Sequence, residues 1–222
     1  MEFYDIVFQR EIDEKKIENI LKRAKFLGYK GVCLVFPAKK FKKKNEEKLK
    51  LITKNIKVFI GYEARSRREL ELLIKNRKLM DFIVVRGGEL NLNRIACEKN
   101  EVDLVYNLER ERDSGFNHIM ARLARKNDVI IGFNLKTLIH ENDDMLKKTI
   151  MNLKIAKKYK NKVFMFSGAT DEWELKDPKI LIAMLVVFGY EMENAKETFT
   201  NLKRKLKKRK NNWIMPGVKV IK

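Results

Sequence analysis

Two hydrophobic periods alternate along this chain. Short continuous apolar blocks are followed by stretches in which apolar residues return every third or fourth position, the pattern of buried strands interleaved with amphipathic helices. Tyr4 to Phe8, Gly31 to Phe36, Lys57 to Tyr62, the DFIVVRGG run from Asp81, Leu104 to Tyr106, Val129 to Phe133 and Val163 to Ala169 read as strands. Helical spacing links Ile17, Ile20, Leu21, Ala24 and Leu27, then Leu49 and Ile52, then Leu70, Leu73 and Ile74, and the segment Leu92 to Glu98. It returns in Ile119, Met120, Leu123 and Ala124, in Leu146, Ile150, Leu153, Ala156 and Tyr159, in Lys179 to Phe188, and in Ala195, Phe199, Leu202 and Leu206. Boundary residues agree: Asp13, the Ser66/Glu69 pair and Asp177 before Pro178 are start signals, and Gly28 and Gly189 are stops. Ser114 and Gly115 suit the start of a helix whose first turn holds Asn117 and His118 and whose N–H groups face an anion.

Seven alternations without an antiparallel hairpin signal predict a parallel sheet with right-handed crossovers. Doubly wound sheets have fewer strands as a rule, so the favoured α/β architecture is a (β/α) TIM-like barrel, with the closing WIMPGVKVIK an eighth strand or an arm. The reading is a single barrel domain over residues 1–222, with a basic C-terminal helix and tail at about 191–222. In either architecture function belongs at the C-terminal ends of the strands.

Charge changes the picture more than composition does. The chain carries 50 Lys and Arg against 30 Asp and Glu, a formal net charge of +20, and an excess of that size calls for a polyanionic partner. Nucleic acid comes first, because neutralised phosphates release counterions, and an anionic membrane surface second. The longest apolar stretch is the nine-residue ILIAMLVVF, and MEFYDIVFQR does not resemble a secretion signal, so a cytoplasmic protein is expected. Cys33 and Cys97 lack metal-type spacing and read as buried free thiols.

The strand ends form a ring of cations. In order they carry Lys39 and Lys40, Glu63 with Arg65, Arg67 and Arg68, Arg86, Asn107 with Arg110 and Arg112, Asn134, and Ser167; Arg122 continues the charge along the helix after His118. A barrel hydrolase with a zinc or paired-metal site needs His and carboxylate ligands from several strand ends, whereas this chain has 2 His and no His-x-His after its first strand. Ser167 has no His placed to act as its base. The short loops RGGEL and SGAT are weak phosphate signals. Arg86 reads either as a phosphate contact or as half of an internal pair with Glu63 or Glu89, and His118 either as an RNA contact or as an ordinary helix-start residue. The run Lys203 to Lys210, with seven cations in eight residues, either wets an RNA backbone or is a solvated face. Trp213 is read as pinning the tail, and ILIAMLVVF as a helix packed on the sheet with part of it open to a protein partner.

RGGELNLNR at 86 to 94, SGFNHIMARLARKNDVIIGF at 114 to 133, AKKYK at 156 to 160, SGA at 167 to 169, ELKDP at 174 to 178 and PGVKV at 216 to 220 occur in an order that resembles the archaeal ribonuclease P protein component 3 family, counterpart of the thirty-kilodalton subunit of the eukaryotic nuclear enzyme. The resemblance covers nearly the whole chain. It implies an irregular barrel of the polymerase-and-histidinol-phosphatase type without metal ligands, and a non-catalytic subunit of the enzyme that removes the 5′ leader of precursor tRNA. It further implies as partners the ribonuclease P RNA, precursor tRNA through the holoenzyme and a small ferredoxin-like protein subunit, with no membrane, no cofactor on this chain and magnesium held in the RNA. The RNA-binding candidates are then Lys39, Lys40, Arg65, Arg68, Arg86, Arg110, Arg112, His118, Arg122 and Lys176. Two other readings compete: an autonomous magnesium phosphoesterase using Glu63, Glu89 and Asp177, and a generic basic RNA-binding protein.

Overall fold

The computed structural model describes residues 1–41, 56–110, 115–140, 143–208, 213–215 and 218–219. Seven strands form one parallel sheet in sequential order: β1 (Phe3–Phe8), β2 (Tyr29–Pro37), β3 (Lys57–Ala64), β4 (Phe82–Arg86), β5 (Leu104–Tyr106), β6 (Ile130–Asn134) and β7 (Val163–Phe166). The intervening helices are α1 (Glu14–Phe26), α2 (Arg67–Lys75), α3 (Leu90–Glu98), α4 (His118–Lys126), α5 (Leu135–His140), α6 (Asp143–Lys158), α7 (Pro178–Val187) and α8 (Met192–Lys208). The sheet curls into a nearly closed TIM-like barrel. The expected helix at Leu49 and Ile52 lies outside the described residues.

The start and stop chemistry follows the side chains. Asp13, Ser66, Asn117 and Asp177 each accept a helix N–H, and Gly28 and Gly189, at φ +85° and +92°, leave α1 and α7 by the left-handed turn open to glycine. Three expectations need correction. Helix α4 begins at His118 with Asn117 as its cap, so two of its first N–H groups, those of Ile119 and Met120, are already satisfied by Asn117 Oδ1 at 3.0 and 3.1 Å. No eighth strand joins the barrel among the described residues: Trp213–Met215 pairs with Val218–Lys219 as a separate antiparallel ribbon. Leu146 does not lie in the core of α6, which instead buries the polar Thr149 and Asn152 beside Leu153 and Ala156.

The seam between β1 and β7 closes by other means than a ladder. Phe8 N–H donates to Ala169 O at 2.9 Å, and the fully buried Asp5 accepts at Oδ1 from the N–H of Ile6 (2.8 Å) and of Ser167 (3.1 Å). Helix α8 wedges behind this line. Its Phe199 is fully buried and meets Phe3 of β1 and Phe164 of β7 edge-on, at 5.1 and 5.2 Å between centroids.

The N-terminal end of the barrel holds a buried ion network. Arg77 Nη2 lies 2.5 Å from Asp103 Oδ2, which also accepts Ile83 N–H at 2.8 Å. Lys205 of α8, buried, reaches Asp128 at 3.3 Å, and Asp128 also takes Lys162. Burial pushes the Asp103 carboxyl up against the opposing pull of Arg77 and Lys205, so desolvation is the chief cost of this network.

Candidate nucleic-acid interface

At the C-terminal end the barrel interior is filled. Phe8, Tyr106 and Phe166, from β1, β5 and β7, meet in a triangle with centroids 5.5 to 5.8 Å apart. Beside them the buried Glu63 accepts from the Tyr106 hydroxyl at Oε1 and pairs at Oε2 with Arg65 Nε, 2.5 Å away. Burial and the Glu63 charge hold the Tyr106 phenol well above its usual range, while Arg86 and Arg65 pull the other way. In the sheet register Arg86 of β4 lies opposite Tyr106 of β5. Among the described residues no carboxylate pairs with Arg86: Glu63 is occupied by Tyr106 and Arg65, and Glu89 is exposed at the start of α3.

The glycines and asparagines of the motifs position this rim. Asn93, fully buried in α3, accepts Gly88 N–H at Oδ1 (3.1 Å) and donates through Nδ2 to Gly115 O (3.1 Å), tying the β4–α3 loop to the β5–α4 loop. A Cβ on Gly87 would sit 2.5 Å from Asn93 Oδ1, so the backbone after Arg86 passes where a side chain would collide. Gly168, at φ +69°, is pressed in the same way on Asn134, whose Oδ1 would lie 1.9 Å from an added Cβ.

Several candidates gather on this rim. Lys39 and Lys40 form an exposed turn after β2, Arg65 and the exposed Arg68 follow β3, Arg86 ends β4, and Arg110 closes a short turn after β5. Because β2 to β5 are consecutive in the sheet, these backbone positions share one arc of about 15 Å at ordinary strand spacing. His118 is exposed at the first position of α4, and Arg122, one turn on, stands over the Tyr159 ring at 5.7 Å. Arg112 lies outside the described residues. Lys176 is not on the arc: its carbonyl accepts the Tyr29 hydroxyl at 2.7 Å, and Tyr29 opens β2, so this segment has descended the flank toward the N-terminal end. Over β6 and β7 the rim is locally balanced, with Lys136 paired to Glu174 at 2.5 Å; despite desolvation, Lys136 and Thr170 hold the Glu174 carboxyl down to about 2.

The catalytic alternatives find no geometry. Glu63 is committed to Tyr106 and Arg65, Glu89 is exposed, and Asp177 caps α7 through Lys179 N–H at 2.8 Å. Among the described residues no group of three or more His, Cys, Asp and Glu is arranged to hold a metal ion. The Ser167 hydroxyl accepts Ala169 N–H at 3.2 Å, a loop-fixing role. In the C-terminal run Lys203 and Lys207 reach Glu2 at 2.8 and 3.6 Å, Lys205 is buried and Arg204 is exposed, while Arg209 and Lys210 lie outside the described residues. Among the described residues no helix is long and apolar enough to cross a membrane.

Relatives share this frame. The protein component 3 of ribonuclease P from Methanosarcina barkeri is 30% identical over 206 residues, covering 89% of this chain and 85% of that one. Its counterpart from Methanocaldococcus jannaschii is 31% identical over 185 residues, 79% of this chain and 80% of the other. A chain in a cryo-EM structure of archaeal ribonuclease P with mature tRNA superposes with a TM-score of 0.81 at 29% identity, over 98% of both chains. The model of the RNase P subunit p30 family matches residues 2–212, nearly the whole chain: it belongs to the RNase P subunit p30 family.

Proposed function

We propose that this protein is a subunit of ribonuclease P, the enzyme that forms the mature 5′ end of tRNA, and that it binds and activates the catalytic RNA through the cationic arc over β2 to β5. The observation that carries the reading is the rim itself: the exposed Lys39, Lys40 and Arg68 and the half-buried Arg86 on three consecutive strand ends, above an interior filled by three aromatic rings. Such a surface grips a phosphate backbone and has no chamber for a small substrate. The chain alone has no catalytic residues in this reading. Magnesium belongs to the RNA, the barrel is a metal-free relative of the polymerase-and-histidinol-phosphatase type, and the complex works in the cytoplasm. The other partners are precursor tRNA, met through the holoenzyme, and the small ferredoxin-like protein subunit that the family resemblance implies.

The test is cleavage of precursor tRNA by the cognate RNA at low magnesium, with the small subunit present and this protein added or withheld. Cleavage that depends on the protein, weakened by Arg86→Ala without loss of fold, is the expected result. Equal cleavage with and without it would remove the subunit reading and restore the generic RNA-binding one.

A further inference from the structure

Helices α4 and α6 end beside each other at the foot of the barrel wall, and both end in the same unusual way. Asp128 and Lys160, just past their last turns, lie in the left-handed region at φ +59° and +54°, where glycine is the ordinary occupant. Around them Arg125, Asp128, Lys160 and Lys162 line a cleft of about 220 Å³, below the about 300 Å³ at which small-molecule sites begin. Among the described residues that line it Asp128 is the one acid, and it is already committed: it takes Lys162 and lies 3.3 Å from Lys205. Despite desolvation, these two lysines hold its carboxyl below the usual range. Arg125 and Lys160 are exposed, and among the described residues neither pairs with a carboxylate. Helix C-termini attract cations through free carbonyls, but here the carbonyls are spoken for. Val129 and Asp128 N–H donate to Ala124 O and Arg125 O at 2.9 and 3.3 Å, and Asn161 and Lys160 N–H to Ala156 O and Lys157 O at 2.9 and 3.1 Å. A lysine kept at a position where glycine would relax the backbone therefore points to a use outside the fold.

We infer that this cleft is a second seat for a phosphate group, taken by a segment of the catalytic RNA other than the one on the cationic arc; this rests on the subunit reading above. Arg125 supplies a planar fork for two phosphate oxygens, and Lys160 and Lys162 supply point charges. The cleft lies beside the starts of β6 and β7, whereas the arc lies over the far ends of β2 to β5. A chain that grips both braces two parts of the folded RNA against each other, and so favours the compact form. Free inorganic phosphate offers the same chemistry, and the experiment separates the two sources.

The experiment measures the affinity of the full-length chain for the cognate catalytic RNA across salt concentrations, for wild type, Lys160→Gly and Arg125→Gln/Lys160→Gly. Glycine relaxes the left-handed backbone while removing the charge, so the thermal midpoint should stay or rise as affinity falls. The expected losses are about threefold for the single variant and about tenfold for the double, with the slope of log affinity against log salt lower by about 1 and about 2. In ribose footprints the double variant should lose protection in one patch of the RNA and Arg68→Ala/Arg86→Ala in another. Unchanged affinity and slope in the double variant, or loss of the same patch in both, would overturn the second seat and leave the subunit reading intact. Stabilisation of the wild type by inorganic phosphate alone, lost in the double variant while RNA affinity stays put, would give the cleft to the free anion and overturn the RNA assignment. Equal wild-type affinity for unrelated structured RNA would remove the subunit reading and this inference with it.

Discussion

The two ends of the barrel both collect cations and use them in opposite ways. At the N-terminal end Arg77 and Lys205 are buried and matched to Asp103 and Asp128, whereas at the C-terminal end Arg68 and Arg86 have no carboxylate partner among the described residues. A buried matched charge is costly to unmatch; an exposed unmatched one contributes little to stability and is free to meet an external anion. In the proposed reading the same residue types serve stability at one end and RNA contact at the other, and a buried carboxylate partner marks the difference.

Removing the carboxylate at the structural end is the severest way to break that comparison. Asp103→Ala strands Arg77, while Lys205 keeps Asp128, and a loss of about 3–5 kcal/mol is expected, read as a fall in thermal midpoint; a change below about 1 kcal/mol would mean that the network is idle. Asp5→Asn comes next, with the opposite sign. Burial pushes this carboxyl from 3.8 up to about 6, so its contribution to stability is fully present below about pH 4 and is lost as pH rises through about 6. At neutral pH the amide should be more stable than the wild type by up to roughly 3 kcal/mol, and the advantage should vanish near pH 4. Stability curves of the two proteins across that range check the crossing.

Asn93→Ala tests the link between support and rim. Losing its bonds to Gly88 and Gly115 should cost about 2 kcal/mol and also weaken RNA binding, because Arg86 sits at the head of the loop that Asn93 holds. The smallest effect on stability belongs to the rim itself. Arg68→Ala/Arg86→Ala should shift unfolding by no more than about 0.5 kcal/mol, yet lower the slope of log affinity against log salt by about 2, close to one for each phosphate contact removed. An unchanged slope would remove these two arginines from the interface.

Much of this was legible in the amino-acid sequence, for reasons that differ by element. Strands and most helices follow from periods of two kinds, and the caps at Asp13, Ser66 and Asp177 from local bonds that need no tertiary context. The cationic strand ends were readable because a parallel barrel places every such end on one face. What escaped depends on partners far apart in the chain. Tyr106 meets Glu63 across 43 residues, Asp5 meets Ser167 across 162, and nothing in either neighbourhood announces the contact. Lys205 sits in a run that reads as a solvated face, and only the position of Asp128 and Asp103 shows that it is interior. Lys176 is an RNA-binding candidate by motif, and its place on the flank, away from the rim, depends on the distant Tyr29. Closure at seven strands was hidden too, since the wedge is a helix, Phe199 of α8, and not an eighth strand.

That wedge bears on how the protein is made. β1 leaves the ribosome well before β7 and the sealing helix, residues 192–208. Throughout translation the open edge of β1 waits for neighbours that do not yet exist, and closure is a late, long-range event. Charged residues next to that edge, Glu2 before it and Arg10 and Glu11 after it, would keep nascent chains from pairing with one another until the barrel is complete.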